Sequence, residues 1–387
     1  MRAHIFNVDE TTFPVHRDRE FCGTGKIGFF LTNYQQVLDQ QRKLSDLIAD
    51  LKGTRVGDLV FFYERRRGFH GVYQVISPPF FDPQEIFGVG EFSHHKVGAD
   101  VAFRLPVKCV DYFPEPVPED LIFSTPTYER IFWIPFYRKI QGPRGCVTID
   151  PEATHTLLEL LIKLNGPPQE KEFHPFYYDP DFDAVQFPFA SDSINLGSDE
   201  IGSFIQFPQL QLLDLPLIPK QFVPLEAHLR GWLVSHLDNP AQTDLRRLFG
   251  PTSHIEWFAN NVPFHVSQRH IDLLIYHRTP LGELIDPPLR YRYSVVELKR
   301  DLSKPEDVDQ LMGYVKWVAN RLANSEADIV RPYIIAQDFQ KETVSRANSI
   351  KFNRAGIQLV KYEVVSENQI TFQEVQQMNN LQLRFGN

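Results

Sequence analysis

The order of apolar and polar positions divides the chain into strand-like and helix-like runs. Near the N-terminus, His4-Ile-Phe-Asn-Val8 predicts a first strand and Lys26-Ile-Gly-Phe-Phe-Leu31 a second. Gln35 to Leu51 has helical spacing, with Val37, Leu38, Leu44, Leu47 and Leu51 on its apolar face. Gly57 to Tyr63 and Gly71 to Ile76 read as strands around an Arg65-Arg66-Arg67-Gly68 turn. Val101 to Asp111 is a further strand. Asp150 to Leu164 is a helix capped by Asp150, with Pro151 at its first position.

In the second half, two apolar runs carry charges at a suggestive spacing. Arg269-His-Ile-Asp272-Leu-Leu-Ile275 is one, and Tyr293-Ser-Val-Val-Glu297-Leu-Lys299 is the other. Side chains alternate along a strand, so Glu297 and Lys299 point to the same face. A Glu-x-Lys on a strand is most often a surface ion pair, but this one follows the apolar pair Val295-Val296, as in a buried strand. The helix that follows, from about Ser303 to Leu322, has Ser303 and Glu306 spaced as a capping box and Pro305 in its first turn. Its apolar stripe is Val308, Leu311, Met312, Val315, Val318 and Leu322. Gln310, Tyr314 and Trp317 form a separate stripe, an amide, a phenol and an indole where a solvated face would carry Lys and Glu.

Asp272, Glu297-Leu-Lys299 and Gln310-x-x-x-Tyr314 together resemble the PD-(D/E)XK nuclease core, in particular its NucS-type endonucleases. The similarity runs from about Gln221 to Val365. It takes in a strand at Arg331 to Ala336, a helix from Thr343 and a strand at Gly356 to Val360, and departs in a long loop from Thr279 to Arg292. The resemblance implies Mg²⁺, with Mn²⁺ as a substitute, held by Asp272, Glu297 and the backbone carbonyl of Leu298. It also implies a water-orienting or charge-stabilising Lys299, an upstream acid at Glu226 in a helix from Pro224, and assistance from Gln310 and Tyr314. Two carboxylates and a carbonyl are hard oxygen ligands of the kind Mg²⁺ prefers.

The first part of the chain resembles the EVE-type modules of the PUA/YTH superfamily. The carrying residues are Asn33-Tyr34-Gln35, Gly57 to Tyr63, Gly71 to Val75 and Phe80-Phe-Asp-Pro83. Such modules are small barrels with a pocket for a nucleobase, often a modified one. The resemblance places Asn33 and Tyr34 at that pocket, and the aromatic pattern adds Phe30 and Trp133. The expected architecture is therefore a two-domain α+β/α/β chain. Residues 1–165 form a PUA-like small β-barrel with helices, 166–220 an acidic aromatic linker, and 221–387 a restriction-endonuclease-like α/β core.

Composition changes this picture in two places. The formal net charge is −9 over 387 residues, which argues against a nucleic-acid protein until it is located. Residues 169–200 alone carry −7, leaving −2 for the rest, and bases such as Arg269, Arg278, Arg292, Arg300 and Lys304 flank the acidic motif. The three cysteines, Cys22, Cys109 and Cys146, form neither a disulfide framework nor a zinc pattern. With no signal-like or membrane-spanning run, a cytoplasmic setting is expected. The sequence expectation is a metal-dependent endodeoxyribonuclease, a homodimer on double-stranded DNA, used for modification-dependent restriction in phage defence. The alternatives are a mismatch- or structure-specific repair endonuclease and a non-catalytic nucleic-acid reader.

Overall fold

The computed structural model describes residues 2–18, 20–24, 41–81, 103–133, 145–171, 177–179, 184–186, 226–263, 269–278, 292–353, 356–366 and 369–375. The chain is mixed α/β and divides into two compact units, Met1–Leu215 and Pro216–Asn387.

In the first unit the strands are β1 (Ala3–Val8), β2 (Phe21–Thr24), β3 (Leu59–Glu64), β4 (Gly68–Val75), β5 (Phe80–Phe81), β6 (Phe103–Cys109), β7 (Val117–Pro118) and β8 (Cys146–Ile149). They pair in the order β2-β6-β4-β3-β1-β8, with β5 added to β6 and β7 to β4. The described strands make an open path, and no pairing among them closes it into a barrel. Helices α1 (Phe13–Asp18), α2 (Gln41–Lys52), α3 (Glu119–Phe123), α4 (Pro126–Ile131) and α5 (Pro151–Asn165) accompany the sheet. Helix α5 begins where the sequence predicts, with the Asp150 carboxylate accepting from Ala153 N–H. Of the predicted buried face of α2, Leu47 and Leu51 are in the core, while Val37 and Leu38 lie outside the described residues. The predicted strand at Lys26 to Leu31 also lies outside them.

One buried network ties three strands of this unit together. His4 on β1 meets Asp58, just before β3, at 2.8 Å, and Thr148 on β8 at 3.2 Å. Asp58 also accepts from Arg2 and from the backbone of Arg55. An acid, an imidazole and a hydroxyl in line resemble a nucleophilic triad. Here all three side chains are buried, which makes the network a structural tie. Two short strands, β9 (Tyr177–Asp179) and β10 (Ala184–Gln186), pair with each other in the stretch read as a linker.

The second unit is a six-stranded sheet in strict sequence order, β11 (Ile255–Pro263), β12 (His270–His277), β13 (Tyr293–Ser303), β14 (Val330–Phe339), β15 (Gln358–Ser366) and β16 (Gln369–Glu374). β13, β14 and β15 run parallel and the outer neighbours are antiparallel. Parallel neighbours need a crossover, supplied by α8 (Pro305–Leu322) and α9 (Lys341–Ser349). Upstream lie α6 (Glu226–His236) and α7 (Thr243–Phe249). Leu273, Ile275, Val296, Leu298, Tyr333 and Val360 share a core with Leu229, Leu233, Leu245 and Phe249 of α6 and α7. Period two therefore turns Asp272, Glu297 and Lys299 to the opposite face.

The start of α8 differs from the expectation. The strand β13 continues through Ser303, so Ser303 and Glu306 do not form the capping box. Lys304 is the cap position, and Asp307 accepts from Lys304 N–H and from the Ser303 hydroxyl. Among the described residues, no helix is long and apolar enough to cross a membrane.

Two expectations follow. Leu273 is fully buried in the second unit's core, so Leu273→Ala should cost about 2–5 kcal/mol of unfolding free energy in chemical denaturation. A cost below about 1 kcal/mol would place that strand outside the core. In the first unit, burial pushes His16 down from 6.5 to about 4, against the bond to the Phe21 carbonyl. The unfolded chain then binds the proton that the folded chain refuses, so the His16 contribution to stability is complete above pH 6.5 and is lost as pH falls towards 4. An NMR titration should find this imidazole neutral at pH 5.5, well above its folded value of about 4; a midpoint at its ordinary value would contradict the burial.

Candidate metal centre on the second sheet

β12 and β13 pair with Leu273 opposite Val296. Continuing that antiparallel register brings Asp272 opposite Glu297. Both carboxylates are buried, Asp272 at 6% exposure and Glu297 at 1%. Two like charges in a low-dielectric site need compensation, and each has its own. Asp272 Oδ1 accepts from Arg230 Nη1 at 2.7 Å, and Oδ2 from the Leu298 N–H at 2.9 Å. Glu297 Oε1 accepts from Lys299 Nζ at 2.6 Å and from Gln310 Nε2 at 2.7 Å. Glu297 Oε2 is buried and accepts no hydrogen bond among the described residues.

The helices deliver the remaining groups. Gln310 on α8 spans between Glu297 and the Tyr314 hydroxyl, which it meets at 2.7 Å. Tyr314 is buried, so the Gln310–Tyr314 stripe faces the carboxylates and not an outer surface. Asp307, in the first turn of α8, lies 3.6 Å from Lys299. Glu226 opens α6, where it feels the charges of Asp272, Lys299 and Arg230.

Electrostatics follow from this crowding. Burial, then the charge of Asp272, push Glu226 up to about 7. The same two causes raise the Glu297 carboxyl, against the pull of Lys299. For Lys299, burial acts to lower the ammonium's pKa, but the charge and hydrogen bond of Glu297 outweigh it and hold the proton. Such perturbed carboxyl pairs are common at functional sites.

The structure thus brings together Asp272, Glu297, Lys299, Gln310 and Tyr314, with Glu226 close by. Sequence reasoning missed Arg230 and Asp307. The available signal for Arg230 was its i, i+4 relation to Glu226 on one helix face. The donor set fits a hard divalent cation. Glu297 offers a buried oxygen without a partner, Asp272 lies across the ladder, and the Leu298 carbonyl is on the same strand. Among the described residues, no three His, Cys, Asp or Glu side chains gather closely enough to ligate an ion alone. An ion here would complete its shell with water and a substrate oxygen, as Mg²⁺ commonly does.

In the first unit, Phe30, Asn33 and Tyr34 lie outside the described residues, and Trp133 is 3% exposed. A cavity of about 100 Å³ opens beside α1 and the β3–β4 turn, lined by Phe13, Arg17, Glu64, Arg67, His70 and Tyr112 among others. His70 and Glu64 meet there at 2.9 Å. Burial, then the charges of Arg67 and Arg17, push His70 down to about 3. Trp133 does not line this cavity.

No protein-family model matches the chain, and no curated protein matches it. Several solved structures overlap part of it. A hypothetical protein from Leishmania major aligns with TM-score 0.30 and 12% identity, over 42% of this chain and 96% of its own. Protein Atu2648 from Agrobacterium tumefaciens aligns at 0.24 and 15%, over 44% and 100%. Human THYN1 protein in complex with 5-methylcytosine-containing DNA aligns at 0.27 and 13%, over 44% and 99%.

The position of Gln310 is directly testable. Gln310→Glu would set a third carboxylate against Glu297 Oε1, whereas Gln310→Ala removes one hydrogen-bonded amide and should cost about 1 kcal/mol. Denaturation at pH 7 should show the Glu variant destabilised clearly more than the Ala variant. Equal costs would mean that the amide does not face Glu297 in solution.

Proposed function

We propose that the second unit is a divalent-metal-dependent phosphodiesterase of the PD-(D/E)XK kind, acting on DNA. One observation carries the reading. Two buried carboxylates lie one residue beyond the last paired positions of β12 and β13, one with an oxygen that accepts no hydrogen bond among the described residues, and a lysine sits two residues on along the same strand. A surface ion pair would be neither buried nor doubled, and a purely structural pair would leave no carboxylate oxygen unsatisfied.

Asp272, Glu297 and the Leu298 carbonyl would hold the ion. When bound, it would supply a water of lowered pKa and neutralise charge on the scissile phosphate. Lys299, kept protonated by Glu297, can donate to a phosphate oxygen or orient the attacking water. Gln310 fixes the Glu297 carboxylate through Oε1, which leaves Oε2 turned to its own use, and Tyr314 fixes the Gln310 amide in turn. Glu226, held near neutrality, is suited to exchanging a proton or to joining the metal shell. These side chains are committed to one another and to the ion, so the centre would meet the phosphate backbone rather than base edges.

Selection of a target then falls to the other unit. The EVE-like strings of residues 1–165 support a pocket for a modified base, turned out of the stack at a cost of a few kcal/mol. Modification-dependent restriction is the reading that uses both units, with the protein acting as a homodimer to cut both strands.

The test is a cleavage panel with the full chain on plain, methylated, hydroxymethylated and glucosylated duplexes, with Mg²⁺, Mn²⁺ or EDTA. Metal-dependent cleavage is expected, lost in Asp272→Ala and Glu297→Ala and reduced by about 10²-fold or more in Lys299→Ala. Undiminished cleavage in EDTA or by Glu297→Ala would refute the assignment. Equal cleavage of plain and modified duplexes would remove the modification-dependent part and favour structure-specific repair.

A further inference from the structure

The motifs that point to the carboxylate centre leave Arg230 unassigned. It lies one helical turn after Glu226 on α6, so the two share a helix face. Its side chain and that of Asp272 are both more than nine-tenths buried, and they meet at 2.7 Å. A guanidinium keeps its proton under any ordinary condition, so this charge is permanent. The second oxygen of Asp272 is held by the Leu298 N–H. One restraint comes from α6 and the other from β13, and together they fix the plane of the carboxylate. Lys299 does not share this duty, because its contacts are with Glu297 and Asp307. The two facing carboxylates thus have separate cations, Lys299 for Glu297 and Arg230 for Asp272.

We propose that Arg230 is a positioning residue of the metal centre. It is a fixed cation that orients Asp272 and supplies positive charge beside it while the centre holds no divalent ion. The proposal rests on the phosphodiesterase reading. Without Arg230, Asp272 would face Glu297 with only a backbone donor to steady it. A divalent ion would then supply the missing charge, so binding would stabilise the variant more than it stabilises the wild type. This differs from a packing role, which would lower stability equally with and without metal.

The experiment compares the full-length wild type, Arg230→Met and Arg230→Lys by thermal melting in EDTA and in millimolar MnCl₂, with Mn²⁺ binding followed by EPR. In EDTA the Met variant should melt roughly 5 °C or more below the wild type. Mn²⁺ should raise its melting temperature by more than it raises that of the wild type. The Lys variant, which keeps the charge but loses the planar fork, should fall between the two. If the Met variant is unfolded in EDTA, recovery of a cooperative melt in Mn²⁺ supports the proposal, and absence of recovery overturns it. Equal Mn²⁺ shifts in wild type and Met variant, with Mn²⁺ binding and cleavage by the wild type intact, overturn the role of Arg230 alone. A wild type that binds no Mn²⁺ overturns the metal reading and this proposal with it.

Discussion

The second unit is organised around the cost of holding two carboxylates in one buried place. Pairing β12 with β13 through Leu273 and Val296 brings the next residues, Asp272 and Glu297, close together, and both are buried. Each must find a cation or a donor within the protein, because removing one partner of a buried pair costs roughly 3–5 kcal/mol. That requirement explains why α6 brings Arg230, why β13 brings both Lys299 and the Leu298 N–H, and why α8 brings Gln310. Compensation stops one atom short, at Glu297 Oε2. A buried carboxylate oxygen without a protein donor is suited to receiving a cation.

Much of this was legible in the chain, and for physical reasons. Period-two alternation placed Glu297 and Lys299 together, and the apolar residues before them marked a buried strand. The stripe of α8 at Val308, Leu311, Val315 and Val318 is buried as its spacing implies. Tyr314 shows the limit of such spacing. Its stripe was correctly separated from the apolar one, but its burial depends on what lies across the sheet, which no local pattern records. The cap of α8 was misread because Ser303 is a good cap residue that β13 claims first, leaving Asp307 to close the helix start. Arg230 was legible only through its i, i+4 spacing from Glu226, because the partner that gives it a role, Asp272, is 42 positions away.

The first unit was harder to read for a different reason. Its sheet order, β2-β6-β4-β3-β1-β8, is far from sequence order, and β1 pairs with β3 in parallel. Local turn signals recover the β3–β4 hairpin but not these long-range pairings. The network of His4, Asp58 and Thr148 carries the same lesson. Its residues span 144 positions and join only in the fold. The aromatic residues Phe30, Asn33's neighbour Tyr34, and Trp133 could not be sorted into core and pocket by type alone, because the chain holds 32 Phe and 14 Tyr.

The centre is defined by where a cation would sit. Crystals of the full chain soaked with Mn²⁺ and recorded at a wavelength sensitive to manganese would locate it by anomalous scattering. One peak is expected within metal–oxygen bonding distance of both Glu297 Oε2 and the Asp272 carboxylate, with Lys299 and Arg230 still in place. A fully loaded crystal with no peak there, or with manganese bound only elsewhere on the chain, would contradict the metal assignment.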